Sequence, residues 1–287
     1  DVGHLLRPLA YKVHPYQWPT IGKELSHIAN ATLDEVKDFF FRFYAPNNAV
    51  LAVTGNISFE ETVALTEKWF ASIPKRDVPV RQLPQEPAQT EERRLVVERN
   101  VPVDSLFMAY HMCERAHPDY YAFDILSDIL SNGKSSRLNR HLVQEKQLFS
   151  SIDAYISGTV DAGLFHISGK PAAGVSLEEA EAAVCEELNR LQNEAVAVQE
   201  LEKVKNKFES TQIFGNINYL NVATNLAWFE LNGTAEDMEK EVERYRSVTA
   251  GQLQAVAQTS FDKRNGVVLY YKGLSPAVSV REGVKLD

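Results

Sequence analysis

The stretch Thr32–Thr54, TLDEVKDFFFRFYAPNNAVLAVT, has a second version in Thr249–Tyr271, TAGQLQAVAQTSFDKRNGVVLYY. The two align without a gap, Thr32 on Thr249 and Asn48 on Asn265, at a constant offset of 217 (249 − 32 and 265 − 48). Each opens on a threonine with Glu35 or Gln252 three residues later, the spacing of a capping box. Apolar residues then recur at helical intervals: Val36, Phe39, Phe40, Phe43 and Tyr44 against Leu253, Val256, Ala257 and Phe261, with Ser260 between. A polar turn follows, then a β-branched run that predicts a strand, Ala49–Val53 against Gly266–Tyr270. An offset this long is that of a duplicated domain, because solenoid repeats have periods of roughly 20–50 residues. The first copy ends near residue 55, so most of it is expected upstream of Asp1.

The totals suit that reading. A chain of 287 residues suits about two domains. The acidic balance, 39 Asp and Glu against 30 Lys and Arg, disfavours nucleic acid as a partner, since phosphate binding needs a concentrated basic face. No apolar run approaches the roughly 20 residues of a membrane span. Any targeting segment would precede Asp1, which leaves the compartment unknown. The two cysteines, Cys113 and Cys185, make no disulfide framework and read as buried, inert thiols. The triplets at Asn30, Asn56 and Asn232 have the glycosylation pattern, which has meaning only in a secreted eukaryotic protein.

Residues 1–31 read as loop, and Ser58–Phe70 as a further helix. Pro74, Pro79, Pro84 and Pro87 then mark a semi-extended linker. The expected division is therefore 1–73, the closing part of a first domain; 74–92, the linker; and 93–287, a second domain. Beyond the linker, strands are predicted at Arg94–Glu98, Ser105–Met112, Ser151–Ser157 and Leu164–Gly169, the last pair as a hairpin. Helices are predicted after Pro118, at Ser135–Lys146, after the capping box Ser176–Glu179, and as three or four segments from Val198 to Gln258. Hairpins with helices in blocks give an α+β class, a mainly antiparallel sheet with helices packed on one face.

No catalytic constellation is visible in the residues themselves. Seven histidines include no His-Glu-x-x-His or His-x-x-Glu-His pair, and no two lie three or four residues apart. His111, Cys113 and His117 are close in sequence but differ in expected strand parity, and a zinc site needs three or four convergent ligands. Gly133-Lys134-Ser135 resembles the end of a phosphate loop, but Asp128 stands where its first glycine belongs and a helix precedes it; Gly133 reads as a helix C-cap. The pairs Glu178-Glu179 and Glu186-Glu187 read as solvated helix faces, and the aromatics Tyr219, Trp228 and Phe229 as core.

The arrangement resembles the pitrilysin-like zinc peptidases of the M16 family over nearly the whole chain. The resemblance rests on His14-Pro15-Tyr16, Pro19–Gly22, Leu33–Tyr44, Tyr44–Val50 and Thr54-Gly55-Asn56, which match the close of that family's first domain. Gly133–Leu138, followed by Leu142–Lys146, matches its second domain, and the tandem duplication is a family trait. The resemblance implies two α+β domains closing like a clamshell on an unfolded peptide. It implies zinc held by two His of a His-x-x-Glu-His helix and a later Glu, all upstream of this chain. No catalytic or metal-ligating residue is therefore expected here, and the chain alone is expected to be inactive. Ser135, Ser136 and Arg137 are expected to line the interdomain cleft. Where the family carries a substrate-binding Arg and Tyr in a Leu-Arg-x-x-x-x-Leu-x-Tyr frame, this chain keeps Leu142 and Leu148 but has Val143 and Ser150. Valine cannot donate to a peptide carbonyl and serine reaches less far than tyrosine. The implied partners are a peptide substrate, the remainder of the first domain, and a homo- or heterodimer. The alternative function is a non-catalytic peptide-binding or structural subunit of such a complex.

Overall fold

The computed structural model describes residues 1–274. One mixed sheet organises it, built from β1 (Arg93–Arg99), β2 (Ser105–His111), β3 (Phe149–Ile156), β4 (Leu164–Pro171) and β5 (Gly266–Gly273) in the order β1-β5-β2-β4-β3. Only the β1–β5 pair is parallel; the other three are antiparallel, and β3–β4 is the expected hairpin. The last strand in sequence thus lies inside the sheet. Buried on both faces, it reads as the unbroken apolar run Val267–Tyr271 rather than alternating with polar residues.

Side-chain alternation sends the strands' residues to two faces. Leu106, Met108, Phe165, Ile167, Val268 and Tyr270 join the main core beneath the helical layer. That layer comprises α5 (Tyr120–Ser131), α6 (Leu177–Asn193), α7 (Val198–Gly215), α8 (Tyr219–Asn232), α9 (Asp237–Ser247) and α10 (Ala250–Ser260). The inward stripe predicted for α6, Ala180, Ala183, Val184, Leu188 and Leu191, is buried throughout.

Ala109, Leu164, Val267 and Leu269 face the other way, into a smaller core completed by Leu6, Ala10 and Tyr11. Leu6 and Ala10 belong to a helix, α1 (Val2–Ala10), where the sequence reads as loop. Gly3 and the interior Pro8 conceal it, since both disfavour helix; burial of the Leu6–Ala10 stripe on the sheet outweighs that propensity. Helices consequently cover the sheet on one whole face and on part of the other. Glu86 of the linker anchors the segment after α1, its carboxylate accepting the backbone N–H groups of Lys12, Val13 and His14 at 2.7, 2.8 and 2.9 Å.

Three further helices precede the linker: α2 (Leu25–Ala29), α3 (Leu33–Phe43) and α4 (Phe59–Phe70). The repeat survives in atomic detail. Thr32 and Thr249 both cap their helices, accepting from the backbone N–H groups of Glu35 and Gln252. Asn48 Nδ2 donates to Phe43 O and Asn265 Nδ2 to Ser260 O, each at 2.8 Å, at equivalent positions. Two differences separate the copies. Only Thr32 has a reciprocal capping box, because the Gln252 side chain donates to Asp119 instead. The strand predicted at Ala49–Val53 does not form: its counterpart β5 lies between β1 and β2, whereas residues 49–53 have no strand beside them among the described residues, and an extended segment becomes a strand only by pairing.

Candidate functional site

The turn after α5 is set by Gly133, whose φ of 94° lies in the left-handed region that glycine enters without cost. It ends the helix, as expected, and cradles no phosphate. Ser135 Oγ accepts from Lys203 Nζ at 3.1 Å. Ser136 is fully buried, its hydroxyl donating to Gly133 O at 2.7 Å. Arg137 forks onto Glu200, Nε to Oε1 at 3.0 Å and a terminal nitrogen to Oε2 at 2.7 Å. Of the three residues expected at a cleft, two therefore clamp the turn onto α7 and the third locks it from within.

The helix predicted at Ser135–Lys146 begins later, at Leu138, and is wound more widely. Residues Leu138–Glu145 form a π-helix, with Lys146 N–H donating to His141 O at 2.9 Å. Leu138 and Leu142 are fully buried, and Val143 packs at the core's edge. His141 Nδ1 lies 2.8 Å from Oε2 of the fully buried Glu187, which Arg190 approaches at 3.4 Å. Gln147, at φ 52°, turns the chain so that Leu148 N–H reaches Leu142 O at 2.8 Å. Ser150 falls at the irregularity between Phe149 and Ser151 on the edge strand β3; it is exposed and donates to Lys170 O at 3.1 Å. Val143 and Ser150 thus flank one corner of the sheet, and neither presents a long donor there.

The residues present do not fit a zinc ion. Among the described residues no cluster of three His, Cys, Asp or Glu side chains could hold a metal. His111 Nε2 is 3.1 Å from Ala10 O, and His117 Nδ1 accepts from Asp119 N–H at 3.1 Å. Burial pushes the Cys113 thiol up to about 12, with Glu114 and Asp119 adding to the effect. Burial, foremost, raises the Cys185 thiol too, so neither supplies a thiolate at neutral pH.

Sequence reasoning missed two groupings. Arg115 lies against the faces of Tyr120, Tyr121 and Trp228, at 4.1, 5.3 and 5.0 Å from the ring centroids, while donating to Glu241 Oε1 at 2.5 Å. Arg115, Tyr121 and Trp228 line a cavity of about 640 Å³ between α8, α9 and the start of α5. Asp237 accepts from the cavity's other arginine, Arg244, at 2.6 Å, so both cations are paired. The aromatics of α8 expected in the core lie outside it: Tyr219 is exposed, Trp228 and Phe229 are half-buried, and α8 buries no residue fully. As an outer helix packed chiefly on α9, α8 has no second apolar layer to enter. The second grouping is a hydroxyl–imidazole pair on the open sheet face, Ser157 Oγ and His166 Nε2 at 2.8 Å. Its only sequence signal is the polar parity of β3 and β4 within the hairpin.

Comparison with known proteins gives the class. Residues 30–208 match the family description "Peptidase M16 inactive domain", and the chain belongs to the peptidase M16 family. Among curated proteins it is 31% identical to zinc protease PqqE of Helicobacter pylori, over 68% of this chain and 45% of that protein. It is 26% identical to the uncharacterized zinc protease YmxG of Bacillus subtilis, over 74% of this chain and 50% of that one. The chain thus spans about half the length of these relatives. The crystal structure of a protease from Helicobacter pylori superposes with a TM-score of 0.86 at 26% identity, covering 95% of this chain and 67% of that one.

Proposed function

We propose that this chain is part of a zinc-dependent endopeptidase that closes like a clamshell on unfolded peptides, comprising the end of its catalytic domain and its second, non-catalytic domain. Residues 1–73 complete the catalytic domain, with α1 packed across onto the sheet of the second domain, 74–92 connect, and 93–287 form the opposing wall. One observation carries the reading. In α10 the repeat's apolar stripe is buried, Leu253 at 0% and Val256 at 4% exposure; the same positions of α3, Val36 and Phe39, are 58% and 56% exposed. The same capped helix and apolar stripe with opposite burial support a reading in which α3 has a packing face for a sheet supplied from elsewhere. Contiguous exposed apolar faces of this kind mark contact surfaces. The relatives named zinc proteases, of which the chain spans about half, support assigning that sheet and the zinc ligands to further sequence of the parent protein.

In this arrangement the residues of this chain act by position. The clamps Ser135–Lys203 and Arg137–Glu200 hold the turn after α5 rigid. With Val143 and Ser150 at the corner, the second domain contributes shape rather than directed hydrogen bonds to a bound peptide. Those two residues also favour a second reading, a peptide-binding or structural subunit that obtains its contacts from a dimer partner. Metal analysis separates the outcomes. The 287-residue chain should bind no stoichiometric zinc, and the natural full-length product should bind one equivalent. Zinc held tightly by this chain would overturn the proposal, and a full-length product without zinc would favour the subunit reading.

A further inference from the structure

α1 covers the open sheet face chiefly over β1 and β5, sharing a small core with Ala109 of β2 and Leu164 of β4. Beyond it, over β2, β4 and β3, a cavity of about 450 Å³ remains between the sheet, α1 and the residues around Tyr16. That volume lies within the roughly 300–1,000 Å³ typical of small-ligand sites. Phe107 and Leu164 line it with other apolar and aromatic side chains, among which stand Arg7, His166 and the hydroxyl residues Thr20, Ser157, Thr159 and Ser168. His166 stacks on Tyr155, ring centroids 4.8 Å apart and planes 16° from parallel. Its Nε2 meets Ser157 Oγ at 2.8 Å, while Nδ1 makes no hydrogen bond to a described residue. The imidazole is neutral at pH 7, because burial, with Arg7 adding to it, lowers its pKa to about 4.

Arg7 is the one formally charged residue lining this cavity, and no carboxylate pairs with it among the described residues. Its guanidinium donates to Trp18 O at 3.4 Å. The contrast with the 640 Å³ cavity is informative, since there both arginines are neutralised by Glu241 and Asp237. In a chain of net charge −9, an unpaired guanidinium beside an apolar, aromatic-walled cavity selects for an anion carrying an apolar group. The pair Ser157–His166 is no substitute for a hydrolytic dyad, because an imidazole of such low proton affinity is a poor acceptor of the serine proton at neutral pH.

We propose that this cavity binds an apolar α-carboxylate, the group at the end of a peptide whose last residue is aromatic or branched. Arg7 pairs with the carboxylate, His166 donates to it from Nδ1 while its Nε2 accepts the Ser157 hydroxyl, and the side chain stacks against Tyr155 over Phe107. Asp153, two residues along β3 and outside the cavity lining, is close enough to Tyr155 to help raise its pKa and opposes the anion from there.

Calorimetric titration of the 287-residue chain tests this with N-acetyl-phenylalanine, its carboxamide and free phenylalanine. The acid should bind about tenfold or more tightly than the amide, the difference a charge-assisted pair supplies. Arg7→Gln should abolish that preference, Arg7→Lys should restore part of it, and Asp153→Asn should strengthen it. Arg7 and Asp153 are exposed, so unchanged thermal melts will show that these variants fold. Tighter binding of the acetylated form assigns the site to peptide termini, and tighter binding of the free amino acid assigns it to amino acids; both uphold the carboxylate site. Equal affinity for acid and amide, or an Arg7→Gln variant that keeps the preference, would overturn it.

Discussion

The internal repeat permits a controlled mutational experiment, with two equivalent side chains truncated in the same molecule. Leu253 of α10 is completely buried in the main core, and its counterpart Val36 of α3 is 58% exposed. Leu253→Ala removes buried apolar volume and leaves a space its neighbours fill only in part, which costs about 2–5 kcal/mol. For a domain of this size each kcal/mol lowers Tm by roughly 2–4 °C, so the expected loss is on the order of 4–20 °C. Val36→Ala removes a side chain that already faces water and replaces a β-branched residue by the best helix former. Its effect should stay within about 0.5 kcal/mol. Urea titrations followed by circular dichroism supply both numbers, with the slope of each curve reporting whether unfolding remains cooperative. A Val36→Ala variant as destabilised as Leu253→Ala would show that α3 is already buried in this chain. The inference that its face awaits a sheet from elsewhere would then fail.

Two further predictions concern charge. Asp124 is buried and accepts from Tyr245 Oη at 2.5 Å, and burial, above all, raises its pKa. A carboxyl whose folded pKa exceeds its unfolded one gives stability that is complete below the unfolded pKa and lost as pH rises through the folded one. Stability should therefore fall as pH rises from about 4 through the raised pKa, and Asp124→Asn should flatten that part of the profile; an unchanged slope would refute the assignment. Glu86 behaves oppositely: burial opposes its ionisation, but the three backbone N–H groups outweigh it and the pKa is lowered. Its contribution is present above the unfolded pKa and lost as pH falls through the lowered one. Glu86→Ala should cost about 1–3 kcal/mol at pH 7 and expose residues 12–14 to limited proteolysis, whereas cleavage rates like those of the parent chain would argue against the anchor.

What was legible in the sequence divides along physical lines. Helices with one apolar stripe and a capping residue, such as α6 behind Ser176 and α10 behind Thr249, were recognisable because local chemistry and burial agree there. The β3–β4 hairpin was readable from two strand-like runs joined by a turn through Gly158 to Gly163. Elements whose state depends on distant partners were not. α1 forms in spite of Gly3 and Pro8 because the sheet's second face receives it, while Ala49–Val53 has strand composition but no neighbour to pair with. The wide winding of Leu138–Glu145 has no local signature either. Among the site residues, the position of Gly133 followed from helix termination, but Arg137's pairing with Glu200 spans 63 residues and needed the fold. The groups around His166 were invisible for the same reason: register places Tyr155 opposite His166, and α1 closes the space beside them.

The central claim is that α3 and α10 are the same structural unit in different states of completion. Amide hydrogen exchange, resolved by residue, tests it most directly on this chain and on the full-length natural product. In this chain, α10 amides should exchange only through global opening, whereas those of α3 should exchange by local fraying, orders of magnitude faster. In the full-length product, α3 should gain protection approaching that of α10. Equal protection of the two helices in this chain, or an α3 that stays unprotected in the full-length product, would contradict the account.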